Sequence, residues 1–308
     1  MKLRLSRRGH ETLMGILFLT PWILGFLTFQ LFPIVQSFYI SFTNFSLVRA
    51  PRWIGFFNYA QLLKDTNFWL AIKNTLYMTI VGTPIQLLFA FVCALLLNQK
   101  LKGQSFFRTI YILPSIMPSI AAALLWLWIF NPQVGLVNTL LGYIGIDGPT
   151  WFLDPIWSKP SLIIMLCWMS GSITIIYLAG LQGVPVELYE AAEIEGANWL
   201  QKIIYITVPM VSPVTLFNLI TGLIYSFQMF TEPYMVSASV GVSGSGVPEL
   251  GSPQGSMLFY SIYLFQNMFA FNRIGKAAAM AWILFILILI VTLITLRTSR
   301  RWTHYEIR

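Results

Sequence analysis

Apolar residues run along this chain in blocks too long for the core of a soluble domain, and the charged residues between them act as rulers. Crossing a hydrocarbon core takes about 20 residues of helix, and burying charge there is costly, so each long uncharged apolar stretch predicts one span. Six stretches qualify, at approximately 12–40, 74–98, 107–130, 160–182, 206–231 and 277–296, the third running into a break near Asn131-Pro132. The expected architecture is an all-α integral membrane protein of six transmembrane helices, with 183–205 as the loop between the fourth and fifth. Gaps are short and no low-complexity linker interrupts them, which predicts one membrane domain over 12–296, with basic tails at 1–11 and 297–308.

Polar positions on the spans carry the next signal, because an unpaired hydroxyl or amide in hydrocarbon costs free energy. On the fifth stretch Asn218, Thr221, Tyr225, Gln228 and Glu232 recur every three or four residues. At about 100° per residue they share one quadrant of a helix. Such a stripe lines a solute pathway or hydrogen-bonds to neighbouring helices. Ser170, Thr174 and Tyr177 form a shorter stripe on the fourth stretch, and Thr75, Thr79, Thr83 and Gln86 one on the second. Hydroxyls can satisfy themselves on the preceding turn, so these stripes also read as structural. Trp126, Trp128 and Trp168 can stack on a sugar ring or anchor helix ends at the membrane interface.

Composition agrees with a bilayer: 57% hydrophobic and 10% charged residues, with a mean hydropathy of +0.72. A net charge of +8 would suggest nucleic acid in a soluble protein, but these cations sit in tails and short loops, where they orient a membrane chain instead. Basic residues at both ends (Lys2, Arg4, Arg7 and Arg8; Arg297, Arg300, Arg301 and Arg308) place both termini in the cytoplasm. Twelve of the nineteen Lys and Arg then lie inside, including Lys100, Lys102, Arg108 and Lys202, while Arg49, Arg52, Lys64 and Lys73 dilute the bias. The basic start followed by an apolar run also reads as a signal peptide, but that run is long and lacks a small-residue cleavage site, which favours an uncleaved first helix. Cys93 and Cys167 lie inside apolar runs and say nothing of compartment. His10 and His304 are the only histidines, both in the tails, so an intramembrane enzyme has no zinc site or general base to draw on. No Gly-x-x-x-x-Gly-Lys-Ser/Thr loop is present to hold nucleotide phosphates. A secondary transporter would show internal repeats, broken helices or a mid-span charge, and the sequence shows neither a repeat nor such a charge.

The loop at 183–205 departs from the positive bias of an inner loop. It carries Glu187, Glu190, Glu193 and Glu195 with no base before Lys202. Pro185 suits a first helical turn, Gly196 a helix stop, and Asn198 the cap of a following helix. A helix, a sharp turn and a second helix are expected. Its acidity suits docking to a basic partner better than lying on the interface, since interfacial helices are rich in Lys and Arg.

Glu190-Ala191-Ala192, three residues, Gly196, nine residues, Ile206, one residue and Val208-Pro209 closely resemble the EAA motif of ABC importer permeases, with Val208 where that family commonly has Leu. Phe56-Phe57-Asn58-Tyr59, Asn74-Thr75-Leu76, Phe107-Arg108-Thr109-Ile110, Leu113-Pro114, Gly135-Leu136-Val137-Asn138 and Ala277-Ala278-Ala279-Met280-Ala281 look like the carbohydrate type, the maltose and glycerol-phosphate permease group. The resemblance implies a type I ABC importer fold and the first membrane subunit of an oligosaccharide importer, in a bacterial cell membrane. It implies a heterodimer with a second, related permease, two ATPase subunits at the cytoplasmic face that bind ATP and Mg, an extracellular or periplasmic solute-binding protein and a carbohydrate substrate. By position, Glu190 would pair with a base of the ATPase, Ala191 and Ala192 would allow close approach, and Gly196 would make the turn ahead of Pro209. No cofactor is expected on this chain. No motif encodes the sugar, and 237–255, rich in Gly and Ser, is expected to be a flexible outer loop.

Overall fold

The computed structural model describes residues 7–48, 50–99, 102–241 and 251–303. Lys2, Arg4, Arg49, Lys100, His304 and Arg308 lie outside the described residues, as do the side chains of Arg7, Arg8 and His10. Regular structure among the described residues is helical, apart from an isolated bridge between Thr43 and Trp53. Four helical runs, Met14–Ser41, Thr66–Asn98, Ser212–Val240 and Ile274–Ser299, are long and apolar enough to cross a membrane, and two bent helix pairs raise the number to as many as six. Contacts divide the chain into two units, Met1–Lys64 with Asn267–Ile283, and Asp65–Gln266 with Leu284–Arg308.

In the first unit α1 (Arg7–Phe26) passes through a widened, π-helical turn at Leu27–Leu31 into α2 (Phe32–Ser41). Pro33 accounts for the widening. A proline has no N–H to give to a helix and its ring strikes the carbonyl four residues back, here that of Phe29, so the turn opens around it. The end of α2 is held by Asn58, buried in α3 (Phe57–Leu63), which donates through Nδ2 to the carbonyls of Ser41 and Thr43 at 2.8 Å each. These acceptors have no helical partner, so the asparagine satisfies groups that would otherwise be orphaned. Around it the ring of Phe42 packs on Trp53, Phe56 and Tyr59.

The second unit opens with α4 (Thr66–Tyr77), capped by Asp65 on the Asn67 amide. A π turn at Met78–Gly82, ahead of Pro84, leads into α5 (Thr83–Asn98). This run begins at Thr66, upstream of the start expected at 74. Where α5 ends, Gln104 Nε2 and Arg108 Nη2 both donate to the Leu97 carbonyl, at 2.8 and 3.3 Å. A cation there complements the negative helix end.

The third and fourth apolar stretches are each two helices. Within the third, α6 (Gln104–Ile116) and α7 (Ser119–Ile129) meet at 101°, because Pro118 holds Met117 in extended backbone. The break expected near Asn131-Pro132 is merely the end of α7; the sharp bend lies inside the stretch. After α8 (Leu136–Tyr143), α9 (Ser158–Trp168) and α10 (Gly171–Gln182) meet at 51°, where Ser170 Oγ takes the Cys167 carbonyl at 2.6 Å. A side chain that competes for a backbone acceptor bends a helix. The two breaks lie against each other: a Cβ on Gly171 would stand 2.8 Å from Ser115 Oγ and 3.2 Å from Ile112 Cα.

Beyond α10 come α11 (Val186–Ile194), α12 (Trp199–Lys202), a π turn at Ile203–Thr207 ahead of Pro209, α13 (Val208–Met210) and the long α14 (Ser212–Gln228). Helices α5, α10 and α14 pack together around Leu87, Ala90, Ala94, Tyr177, Leu181 and Val211. In a bilayer the lipid is as apolar as these side chains, so close approach at small residues is what holds the helices together. Gly222 is such a residue, with a Cβ there standing 2.9 Å from Thr83 Cγ2.

The chain continues through α15 (Thr231–Val240) and α16 (Tyr260–Phe265) to α17 (Ile274–Ser299). Asn74 and Thr75 peg the approach to α16: Asn74 Nδ2 donates to the carbonyls of Gly255 and Leu258 at 2.8 and 3.0 Å, and Thr75 Oγ1 accepts from the Tyr260 amide at 2.9 Å. The expectation of a flexible loop over 237–255 is therefore corrected at both ends. Ser237 is fully buried in α15 and its hydroxyl accepts from the Gly251 amide; residues 242–250 lie outside the described residues.

Candidate functional site

Two places in the second unit bear on function, the acidic loop and a cavity among the bent helices. In the loop, α11 starts after Pro185 and ends in a left-handed Gly196 at φ 81°. The Gly196 amide donates to Glu193 O at 3.0 Å and the Ala197 amide to Ala192 O at 2.8 Å, the paired bonds of a glycine helix stop. Asn198 then caps α12 reciprocally with Gln201. The expected helix, turn and helix are all formed.

Among the described residues this loop meets the core at Val184 and Tyr189, and most of its other side chains are open. Tyr189 packs against the α5 and α10 core, and its hydroxyl lies 2.9 Å from that of Thr207 in the π turn before Pro209. Lys202 Nζ meets Glu193 Oε1 at 2.5 Å and ties α12 back to α11. Glu190 and Ala191 are exposed, Ala192 is half-buried, and Glu190 makes no ion pair among the described residues. Bare apolar groups surround them, with Ile194 89% and Tyr205 75% exposed. A groove of about 500 Å³ runs past Leu188, Ala191, Ala192, Gly196 and Tyr205. Acid and apolar surface side by side is what a partner with a basic, partly apolar cleft would cover.

The cavity, of about 460 Å³, lies between α5, α6, α9, α10 and α14. Gln86, Ser115, Ser172, Thr221 and Tyr225 supply its polar lining, with Leu166, Met169 and Ile173 as apolar wall. Thr221 and Tyr225 of the fifth-stretch stripe reach it; the rest of the stripe divides. Gln228 closes α14 and is exposed, whereas Asn218 is 2% exposed and lies beside the Tyr177 hydroxyl. Glu232 does not continue the stripe. The backbone breaks at Met229 and Phe230, so Glu232 stands in α15, buried, and accepts from the Tyr225 hydroxyl at 2.7 Å.

The fourth-stretch stripe faces inward and does not line the cavity. Ser170, Thr174 and Tyr177 are each 1% exposed. Ser170 bonds Cys167 O and meets the Tyr111 hydroxyl at 3.0 Å, Thr174 bonds Ser170 O and Ala90 O, and Tyr177 packs edge-on to Phe91. Trp168 is half-buried edge-on to Trp126. These positions correct the expectation of a pathway face here: the bend at Ser170 turns α10 so that the hydroxyls meet α5 and α6. Ser115 and Ser172 went unmarked in the sequence because neither belongs to a periodic stripe. Each sits beside a helix break, and Pro118 and Gly171 are the signals that could have pointed to them.

Residues 86–304 match the model of a family described as binding-protein-dependent transport system inner membrane component. The chain is 38% identical over 299 residues to the probable ABC transporter permease protein YesP of Bacillus subtilis (strain 168), covering 96% of this chain and 93% of that protein. It is 35% identical over 275 residues to the arabinooligosaccharides transport system permease protein AraP of the same organism, covering 87% and 82%. Among solved structures it resembles a chain of a bacterial ABC transporter involved in the import of the acidic polysaccharide alginate, with a TM-score of 0.78 and 25% identity over 96% of this chain and 98% of that one.

Proposed function

The chain belongs to the family of binding-protein-dependent transport system inner membrane components, with the type I ABC importer fold, and we propose that it forms half of the translocation pathway for a sugar, coupled to a separate ATPase through α11. The observation that carries the reading is the α11 to α12 unit: an exposed acidic and apolar helix, stopped by Gly196 and fixed to the helix core through Tyr189 and Thr207. Glu190 offers its carboxylate to a base of the ATPase, and Ala191 and Ala192 leave room for close approach. Two ATPase subunits hold ATP and Mg. When ATP closes them, α11 is drawn along and the fastening passes the displacement to α14 through Pro209 and α13. Such work requires that ATP bind the two states of the complex unequally.

A related second permease completes the pathway, and an external solute-binding protein delivers the sugar. Both termini lie in the cytoplasm on this reading, which puts the acidic loop on the ATPase side and the Asn74 and Thr75 pegs toward the outside. The names of relatives such as AraP support an oligosaccharide. Glu190→Lys tests the assignment: the chain inserts in the membrane normally, the ATPase no longer co-purifies, and uptake is lost. Normal uptake by this variant would remove α11 from the coupling role.

A further inference from the structure

The hydrogens of the cavity's hydroxyls are nearly all committed within the chain, and this decides what the cavity can bind. Ser115 Oγ donates to Ile112 O at 2.8 Å, Thr221 Oγ1 to Phe217 O at 2.9 Å, and the Tyr225 hydroxyl to Glu232 at 2.7 Å. Gln86 spends one amide hydrogen on Leu166 O at 2.9 Å, and no described residue donates to its Oε1. A hydroxyl has one hydrogen and two lone pairs, so each of these three can now only accept. Four side chains that line the cavity therefore each carry an oxygen left as an acceptor: Gln86 Oε1, Ser115 Oγ, Thr221 Oγ1 and Tyr225 Oη. Against them stand two donors without a partner among the described residues, the Ser172 hydroxyl and the second hydrogen of Gln86 Nε2. No described lysine or arginine lines the cavity, and the residue behind the Tyr225 hydroxyl is Glu232.

We infer that this cavity selects an uncharged saccharide unit by accepting hydrogen bonds from its hydroxyls, and that it rejects uronates and other anionic sugars. A pyranose offers several O–H donors, which match an acceptor array. A carboxylate or sulfate can only accept, so here it would lose its water and find lone pairs in its place. Glu232 adds to the selection by taking the Tyr225 hydroxyl hydrogen, so that this oxygen is left with lone pairs only. The apolar wall of Leu166, Met169 and Ile173 suits the C–H face of the same ring. Rejection by mismatched polarity discriminates better than fit alone.

The inference rests on the sugar-importer reading, and one experiment separates the two. The complete importer, with its partner permease, ATPase and binding protein, is reconstituted in proteoliposomes and given neutral oligosaccharides (maltotriose, arabinotriose) and uronate trisaccharides (trigalacturonate, trimannuronate). Neutral sugar is carried at least about tenfold faster, the ratio expected from one mismatched polar group. Thr221→Lys, which leaves the binding protein untouched, narrows that ratio; Thr221→Val raises KM for the neutral sugar severalfold while the maximal rate changes less. Uronates carried as fast as or faster than neutral sugars, or an unchanged ratio in Thr221→Lys, overturn the inference and leave the importer reading standing. Transport of neither class overturns both.

Discussion

The hydroxyls of Tyr189 and Thr207 lie 2.9 Å apart and join α11 to the turn that leads into the fifth span. Thr207 also donates to Lys202 O at 3.3 Å, so Tyr189 is the donor that completes the pair. Tyr189→Phe keeps the ring packed and removes one neutral hydrogen bond, about 1 kcal/mol. The expected outcome is an importer that assembles and hydrolyses ATP but carries less sugar per ATP. The ratio of uptake to phosphate release measures it, and an unchanged ratio shows that the bond is only structural.

Gly196 presents a different cost. A Cβ there would meet nothing within 4 Å, so the penalty for any other residue is the left-handed backbone alone. Gly196→Val is expected to lose about 1–2 kcal/mol and to unwind the turn, whereas Gly196→Asn loses little because asparagine tolerates that conformation. Co-purification of the ATPase should fall with valine and persist with asparagine. Equal behaviour of the two would show that the turn's handedness is unimportant.

Asn74 supports the segment from Gly251 to α16 with two buried hydrogen bonds. Asn74→Ala leaves both carbonyls without that donor, a loss of about 1–3 kcal/mol. Limited proteolysis in detergent should then cut near residues 251–260 while the α5 and α10 core stays protected. Undiminished protection would mean that other contacts suffice.

Two glycines in helices should respond in opposite directions. Gly171→Ala drives a Cβ against Ser115 and the backbone of Ile112, and overpacking of this kind costs about 1–3 kcal/mol. At Gly142, inside α8, nothing lies within 4 Å, so Gly142→Ala should gain up to about 1 kcal/mol of helix propensity. Thermal unfolding of the purified chain in detergent should shift down for the first and up for the second.

The acidic loop was legible residue by residue, because a glycine stop and an asparagine cap act over four or five neighbours and need no tertiary information. Apolar length gave the helical stretches for the same reason. The bends were not legible as angles. Pro118 announces a break, but whether the chain turns by a few degrees or by 101° depends on what packs against it. The stripe on the fifth stretch illustrates the limit: counting by threes and fours carried Glu232 onto the same face, and the break at Met229 moved it to another helix. The Tyr225 contact survives because the second helix starts close by. Inward and outward hydroxyls could not be told apart at Ser170, Thr174 and Tyr177, since periodicity names a face without saying what it meets.

The widened turns before Pro33, Pro84 and Pro209 also set a phase. Each accommodates one residue beyond a regular helical turn, so every side chain downstream is rotated by about 100° from where an uninterrupted helix would place it. In α5 that offset is what points Leu87, Ala90 and Ala94 at α10 and α14. Deleting a single residue from Met78–Gly82 would therefore leave the composition of the span nearly untouched and swing its whole packing face away from its neighbours.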